Sequence, residues 1–278
     1  MTRTYDRRTK QIFEVPQYGE GKLRFLYGTP FGRIFLRLAT SHLVSNINAW
    51  KNSTKGSKAK IAPFVKEYGI KVDDIEQYQS FSDFICRQEK RSCDKEKAAL
   101  IAPADSKLTY YKIDDHELIT IKNTTYSIED LTGEDISDFA GGSCLVFRLA
   151  ISDYHRYCYI DSGKVVRTKH IKGRLHTVSS LSEKYKVFAQ NDRIVNILDT
   201  ENFGKVIQIE VGAILVGRIK NHDKTVYKKG EEKGYFEMGG STIVLLLKKD
   251  IKIDEDIREQ SKKGIETIVK YGERIGGK

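Results

Sequence analysis

Beyond residue 102 the apolar residues arrive in short runs, at 108–113, 118–121, 144–150, 165–170, 193–198, 206–216 and 242–247. Each run is rich in β-branched and aromatic side chains, which pack best on a pleated surface. Polar links such as Asp161-Ser162-Gly163-Lys164 and Glu201-Asn202-Phe203-Gly204 separate them and read as turns. No helical pattern recurs between successive runs, so a doubly wound parallel sheet is excluded and an α+β fold is expected. The expected architecture is a β-rich, sandwich-like body over 101–278, preceded by helices over 1–100 and closed by a C-terminal helix at 255–273.

The first hundred residues have a different texture. Residues 1–27 are polar with scattered aromatics and read as a loop or short hairpin. Thr29-Pro30 then opens a helix, with Pro30 in the first turn where a missing amide hydrogen is tolerated. Phe31, Ile34, Phe35 and Leu38 recur at helical spacing with Arg33 and Arg37 between them, and Trp50 lies beyond. That pattern suits an amphipathic helix lying on a lipid surface, and equally a helix packed on a core with a solvated rim. The Lys/Ser/Gly-rich stretch 51–60 reads as a loop. Short helices are expected at 60–68, ended by Gly69, and at 82–89, capped by Ser80 or Ser82.

Charge is distributed unevenly. The net charge is +10, and residues 1–66 hold 13 Lys/Arg against 3 Asp/Glu. The remaining residues balance at 35 of each sign. A basic leader suits an anionic partner, either lipid or nucleic acid. No apolar run approaches the roughly 18 residues of a spanning helix. The four cysteines, Cys86, Cys93, Cys144 and Cys158, lack zinc-site spacing, and no secretory leader is read ahead of them. Reduced thiols in a cytosolic setting are expected.

Three segments hold residues suited to chemistry. Gly239-Gly240-Ser241-Thr242 sets a serine hydroxyl at a tight turn directly before a strand. A nucleophile elbow of the Gly-x-Ser-x-Gly kind is absent, because Ile occupies position 243. Asp153-Tyr154-His155-Arg156 carries a histidine, the side chain best matched to proton transfer near neutral pH. Ala102-Pro103-Ala104-Asp105-Ser106 offers a carboxylate that could orient an imidazole. Each also has a plain structural reading: a capping hydroxyl, a satisfied histidine, a common turn. Spacing alone does not bring the three together.

The ordered set of motifs resembles the phosphatidylserine decarboxylase family, and the similarity runs nearly the full length. It includes Thr29-Pro30-Phe31-Gly32-Arg33, Ser80-Phe81-Ser82-Asp83-Phe84-Ile85-Cys86-Arg87, Pro103-Ala104-Asp105, Asp153-Tyr154-His155-Arg156, Leu175-His176-Thr177-Val178, Asn191-Asp192-Arg193-Ile194-Val195, Val211-Gly212-Ala213 and Gly239-Gly240-Ser241-Thr242. The run at 154–161 looks like a clostridial-type branch. The resemblance implies a proenzyme that cuts itself between Gly240 and Ser241 into a β chain, 1–240, and an α chain, 241–278. It implies that Ser241 becomes a covalent pyruvoyl group, the cofactor, which forms a Schiff base with phosphatidylserine and leaves phosphatidylethanolamine and carbon dioxide. No metal is expected.

Carried over residue by residue, Asp105 with a histidine activates Ser241 for cleavage, and His155 transfers protons during decarboxylation. One departure stands out. Many members have a second histidine three residues after the first, and here that position is Cys158. A thiol near its usual pKa of about 8.5 is a poorer base than imidazole. His155 is therefore expected to do both jobs, with Cys158 and His176 as auxiliary candidates. The expected partners are phosphatidylserine, an anionic membrane surface on the cytoplasmic face of the cell membrane, and a second copy in a homodimer, with no nucleic acid. Two alternatives stay open: a non-catalytic basic module binding membrane or nucleic acid, and a pyruvoyl decarboxylase of a small amino acid.

Overall fold

A computed structural model describes residues 2–15, 20–121, 124–177, 186–213, 218–237 and 241–278. The chain opens with a hairpin, β1 (Thr2–Asp6) and β2 (Gln11–Val15). Five helices come next: α1 (Glu20–Gly28), α2 (Pro30–Ala39), α3 (His42–Ser53), α4 (Ile61–Tyr68) and α5 (Phe81–Ile85). Their ends show ordinary capping chemistry. Ser41 Oγ accepts from Val44 N, and Ser80 Oγ accepts from Asp83 N. Gly69, at φ +61°, ends α4 by returning its amide to Val65 O.

Three expectations for this region need correction. The helix expected at 82–89 is shorter, because α5 ends at Ile85 with Cys86 as its cap. Helix α1 lies where a loop or hairpin was expected beyond residue 19. Leu23, Leu26 and Tyr27 form a helical stripe that Gly21 and Gly28 disguise, and Tyr27 is buried. Residues 51–60 are helical too: α3 runs to Ser53 and a 3₁₀ helix covers Lys55–Lys60. Buried Ser57 organises it, donating to Asn52 O and Thr54 O and accepting from Phe81 N.

From residue 99 onward the chain is mostly sheet: β3 (Ala99–Ile101), β4 (Ser106–Lys112), β5 (Leu118–Ile121), β6 (Thr124–Ser127), helix α6 (Ile128–Thr132), β7 (Ser143–Leu149), β8 (Arg156–Cys158) and β9 (Gly163–Ile171). Next come α7 (Val187–Gln190), β10 (Arg193–Thr200), β11 (Gly204–Val211), β12 (Arg218–Asn221), β13 (Val226–Tyr227), β14 (Glu232–Glu237) and β15 (Ser241–Leu247). The chain closes with β16 (Lys252–Ile253), α8 (Glu255–Lys262), β17 (Glu266–Val269) and β18 (Arg274–Gly277). The expected helix at 255–273 is thus cut short. Gly264 takes φ +68°, where a helix cannot continue, and the segment beyond it pairs as strands.

The main sheet has ten strands in the order β13-β9-β10-β11-β15-β7-β4-β17-β1-β2. Its ladders are antiparallel except β1 against β17. Every residue of β15 is buried. Ile243, Leu245 and Leu247 pack with Leu145, Phe147, Tyr157 and Phe236 on one face, while Val244 and Leu246 pack with Cys144, Ile119, Tyr126 and Phe188 on the other. The central strand is covered on both sides, so its sequence is an unbroken apolar run rather than an alternating one. Each such Leu, Ile or Val contributes about 1.5–3 kcal/mol through burial.

Candidate active site

Ser241 is the first residue of β15 and sits opposite Leu149 of β7. On its other side β11 pairs Val211 with Thr242, and the register carried one residue further sets Gly212 opposite Ser241. The serine is fully buried, and among the described residues its Oγ has no hydrogen-bond partner. An unsatisfied buried hydroxyl costs about 1–3 kcal/mol, so its persistence needs a reason. Thr242 Oγ1 shares the condition on the other face of the strand. The turn residues Gly239 and Gly240 lie outside the described residues.

Strands β8 and β14 cover the face that carries Ser241, because Tyr157 and Phe236 pack there with Ile243 and Leu245. His155 immediately precedes β8 and is fully buried. Its carbonyl accepts from Phe236 N at 3.0 Å, and its Nδ1 lies 2.8 Å from Asp153 O. The carboxylate of Asp153 is itself fastened. Lys107 Nζ donates to both oxygens at 2.6 and 2.7 Å, and Ala150 N donates at 2.7 Å. Burial alone would raise this carboxyl's pKa, but the Lys107 ammonium, the Ala150 amide and the Lys270 charge together hold it below the usual range.

Asp105 lies one residue before β4. The pairing of Lys107 with Arg148, and of Arg148 with Thr242, places Ser106 in the row of Leu149 and Ser241. Asp105 is therefore at the same end of the sheet, with its strand two spacings, roughly 10 Å, from β15. Its oxygens point elsewhere. Oδ1 accepts from Tyr271 N at 2.9 Å, Oδ2 accepts from Lys270 Nζ at 2.9 Å, and Arg91 stands 3.6 Å away. Neither oxygen hydrogen-bonds to His155 or Ser241, so the three expected residues share an end of the sheet without forming a bonded chain.

The auxiliary candidates differ in fitness. Cys158 is buried, its Sγ facing Ala102 O at 3.9 Å, and burial pushes the thiol far above its ordinary value. A thiol that stays protonated at neutral pH cannot take a proton from Ser241. His176 is better placed. Asn191 Nδ2 donates to His176 O at 2.8 Å and to Gly212 O at 2.7 Å, and its Oδ1 accepts from His176 N at 3.1 Å. His176 is thus clamped through Asn191 to the residue opposite Ser241, while His155 lies just before β8, one of the two strands that cover the Ser241 face. The His176 Nδ1 lies 3.1 Å from Tyr27 OH, and burial with the Arg174 charge lowers the His176 pKa to about 4.

Two rows further along the sheet lies a charged group that sequence reasoning missed. Glu210 is opposite Ile243 and, as a diagonal neighbour of Ser241 on the same face, sits at a Cα separation of about 7–8 Å. Lys233 Nζ meets its Oε1 at 3.0 Å with both side chains almost wholly buried. Asn196, Gln208 and Asn221 also donate to Glu210, and Tyr157 OH donates to Asn221. Lys107 and Asn191 were missed as well. Asn191 stands in one of the family-like motifs, whereas nothing local marks Lys107 or Lys233.

A buried serine hydroxyl at a strand start, unpartnered among the described residues, is the kind of orphaned group that a chemical role explains. The similarities of the whole sequence agree. The family model described as phosphatidylserine decarboxylase matches residues 78–277. A phosphatidylserine decarboxylase proenzyme 2 of Clostridium acetobutylicum is 53% identical, with 98% of this chain and 97% of the relative covered. The phosphatidylserine decarboxylase proenzyme of Clostridium perfringens is 38% identical with both chains fully covered, and that of Ruminiclostridium cellulolyticum is 37% identical over 99% and 97%. With a matching family model over most of its length and such relatives end to end, the chain belongs to the phosphatidylserine decarboxylase family.

Proposed function

We propose that this chain is a phosphatidylserine decarboxylase that matures by cutting itself between Gly240 and Ser241, and that it works on phosphatidylserine at a membrane surface. The observation that carries the reading is the buried Ser241 hydroxyl, unpartnered among the described residues, at the start of the central strand. In maturation His155 takes the Ser241 proton as Oγ attacks the Gly240 carbonyl, and the amide becomes an ester. Elimination then releases residues 1–240 as a carboxylate and leaves a dehydroalanine, whose hydrolysis expels ammonia. The resulting pyruvoyl group supplies the electron sink for loss of the substrate carboxylate.

The chain's own groups do the rest. His155 returns a proton to the substrate carbon, so that carboxylate plus one proton becomes carbon dioxide and the amine product. The apolar cluster of Ile243, Leu245, Tyr157 and Phe236 excludes water beside it. Asp105 contributes its charge to the activation of Ser241 and holds residues 270–271 against the larger piece. His176 is the reserve base, and its low pKa keeps it neutral at physiological pH.

Residues 1–100 serve as the membrane-associating region, except that the β1–β2 hairpin at their start joins the main sheet through β17, and 101–278 serve as the sandwich-like catalytic domain. Support comes from the helices. Phe31 and Ile34 of α2 are 72% and 71% exposed, and Leu43, Ile47 and Trp50 line one side of α3 in the open. The side chains of Arg33, Arg37 and Leu38 lie outside the described set. No helix among the described residues is long and apolar enough to cross a membrane. An apolar face beside a basic leader suits peripheral attachment at the cytoplasmic face of the cell membrane. A homodimer is part of the reading by family likeness alone.

Intact-mass analysis of the purified protein tests it, alongside carbon dioxide release from phosphatidylserine vesicles and from free serine. The expected result is two chains parting at 240/241, a blocked smaller chain that reacts with carbonyl reagents, and release from vesicles only. A Ser241→Ala protein that still cuts and decarboxylates at the parent rate would refute the proposal.

A further inference from the structure

We infer that Lys107, acting through Asp153, sets the tautomer and aim of the His155 imidazole, and that Asp105 does not fill this orienting role. The inference rests on His155 being the base of the proposed function. A backbone carbonyl can only accept, so the 2.8 Å contact between His155 Nδ1 and Asp153 O requires the proton on Nδ1. In the neutral ring Nε2 then carries the lone pair, the form a general base needs.

The carbonyl can hold that proton in place only if it is itself held. Asp153 N donates to Ala150 O at 2.9 Å, and Ala150 N donates back to the Asp153 carboxylate at 2.7 Å, closing the turn twice. Lys107 then anchors the turn to the sheet. It stands in β4, hydrogen-bonded between β17 and β7, and its ammonium reaches both Asp153 oxygens with the two side chains only 10% exposed each. On the other side Phe236 N fixes the His155 carbonyl from β14. The Asp105 carboxylate is meanwhile taken up by Tyr271 N and Lys270, which tie it to the C-terminal segment. Lys107 and Asp153 are positioning residues, since both act through His155.

The test uses the full chain. In a Ser241→Ala background, which keeps the precursor whole, ¹⁵N-histidine labelling with two-bond proton–nitrogen spectra reports each ring's tautomer, and loss of one signal in His155→Gln assigns it. The parent is expected to show His155 protonated on Nδ1. Lys107→Met should shift it toward the Nε2 tautomer or a mixture, and Lys107→Arg should restore it. With Ser241 present, Lys107→Met should slow self-cleavage on the order of 10- to 100-fold, the penalty for a base about 1 Å out of place. If Lys107→Met does not fold, Asp153→Asn removes the same charge pair while keeping an acceptor for Ala150 N. A parent ring protonated on Nε2, or a folded Lys107→Met protein with parental tautomer and rate, overturns the inference. His155→Gln cutting at the parent rate would instead sink the role of His155, leaving the tautomer result standing.

Discussion

Replacing Glu210 by Gln isolates the buried charge near Ser241. In the parent, Lys233 Nζ sits 3.0 Å from Glu210 with 1% and 0% of the two side chains exposed. The substitution keeps the shape and much of the hydrogen bonding with Asn196 and Asn221, but leaves an ammonium with no counter-charge. Breaking one side of such a pair typically destabilises by about 3–5 kcal/mol. Unfolding entropy scales at about 2.1 cal/mol/K per residue, or roughly 0.6 kcal/mol/K for this chain, so the midpoint should fall by about 5–9 °C. Circular dichroism melting of the Ser241→Ala precursor at pH 7 measures this on one unbroken chain.

Adding Lys233→Met should then recover more than half of the loss, because the stranded charge is gone. The pH dependence carries a definite sign. Burial, against the attraction of Glu210, lowers the Lys233 pKa, so between its folded and unfolded values the unfolded chain binds more protons and stability rises with pH. Without Glu210 that window widens downward. The single variant should therefore gain stability as pH rises toward about 10, over a wider range than the parent, at up to about 1.4 kcal/mol per pH unit. A Glu210→Gln protein within about 1 kcal/mol of the parent would refute the premise that this pair is dry and charged.

Cys158→Ala is expected to keep the parental cleavage rate, since a protonated thiol contributes none of the about 10²- to 10⁴-fold that a general base supplies; a loss of that size on a time course would make the thiol a participant. Ile34→Asp should leave the melting temperature unchanged but weaken sedimentation with anionic vesicles about 10- to 100-fold, the equivalent of about 1.5–3 kcal/mol of lost apolar insertion. Unchanged vesicle binding would mean that α2 does not enter lipid. His176, with its pKa lowered to about 4 by burial, makes stability rise from about pH 4 to its unfolded value near 6.5 and level off above it. His176→Gln should flatten that rise in acid-denaturation curves.

Local chemistry was legible in the sequence, and long-range pairing was not. The unbroken apolar run of β15, the Gly69 stop of α4 and the Ser80 cap of α5 are each set by residues within a turn or two of one another. Strand β17 escaped because its partners β1 and β4 lie more than 150 residues away, and β18 because it is held between distant β3 and the two-residue β16, while the residues of both continue the helical pattern of α8 past Gly264. The same reason hid the site's supports. Asp153 finds Lys107 46 residues back, Asp105 finds Tyr271 166 residues on, and a Glu in an apolar strand looks like a solvent-facing residue until Lys233 arrives from β14. The motifs singled out Ser241 and His155 as candidates, while the partners of Asp105 could come only from the folded chain.

Because β15 lies fifth of ten in its sheet, a break just before Ser241 would fall in the middle of the molecule rather than at its edge. The small piece would stay laced to the large one by β11 and β7 on either side, and again by β4 and β1 along β17. Such a nick frees nothing in the native state but changes what happens when that state is lost. A precursor refolds as one molecule at its own internal concentration, whereas the two matured pieces, once melted apart, must find each other by diffusion. Recovery after heating should then depend on protein concentration only once the chain has been cut.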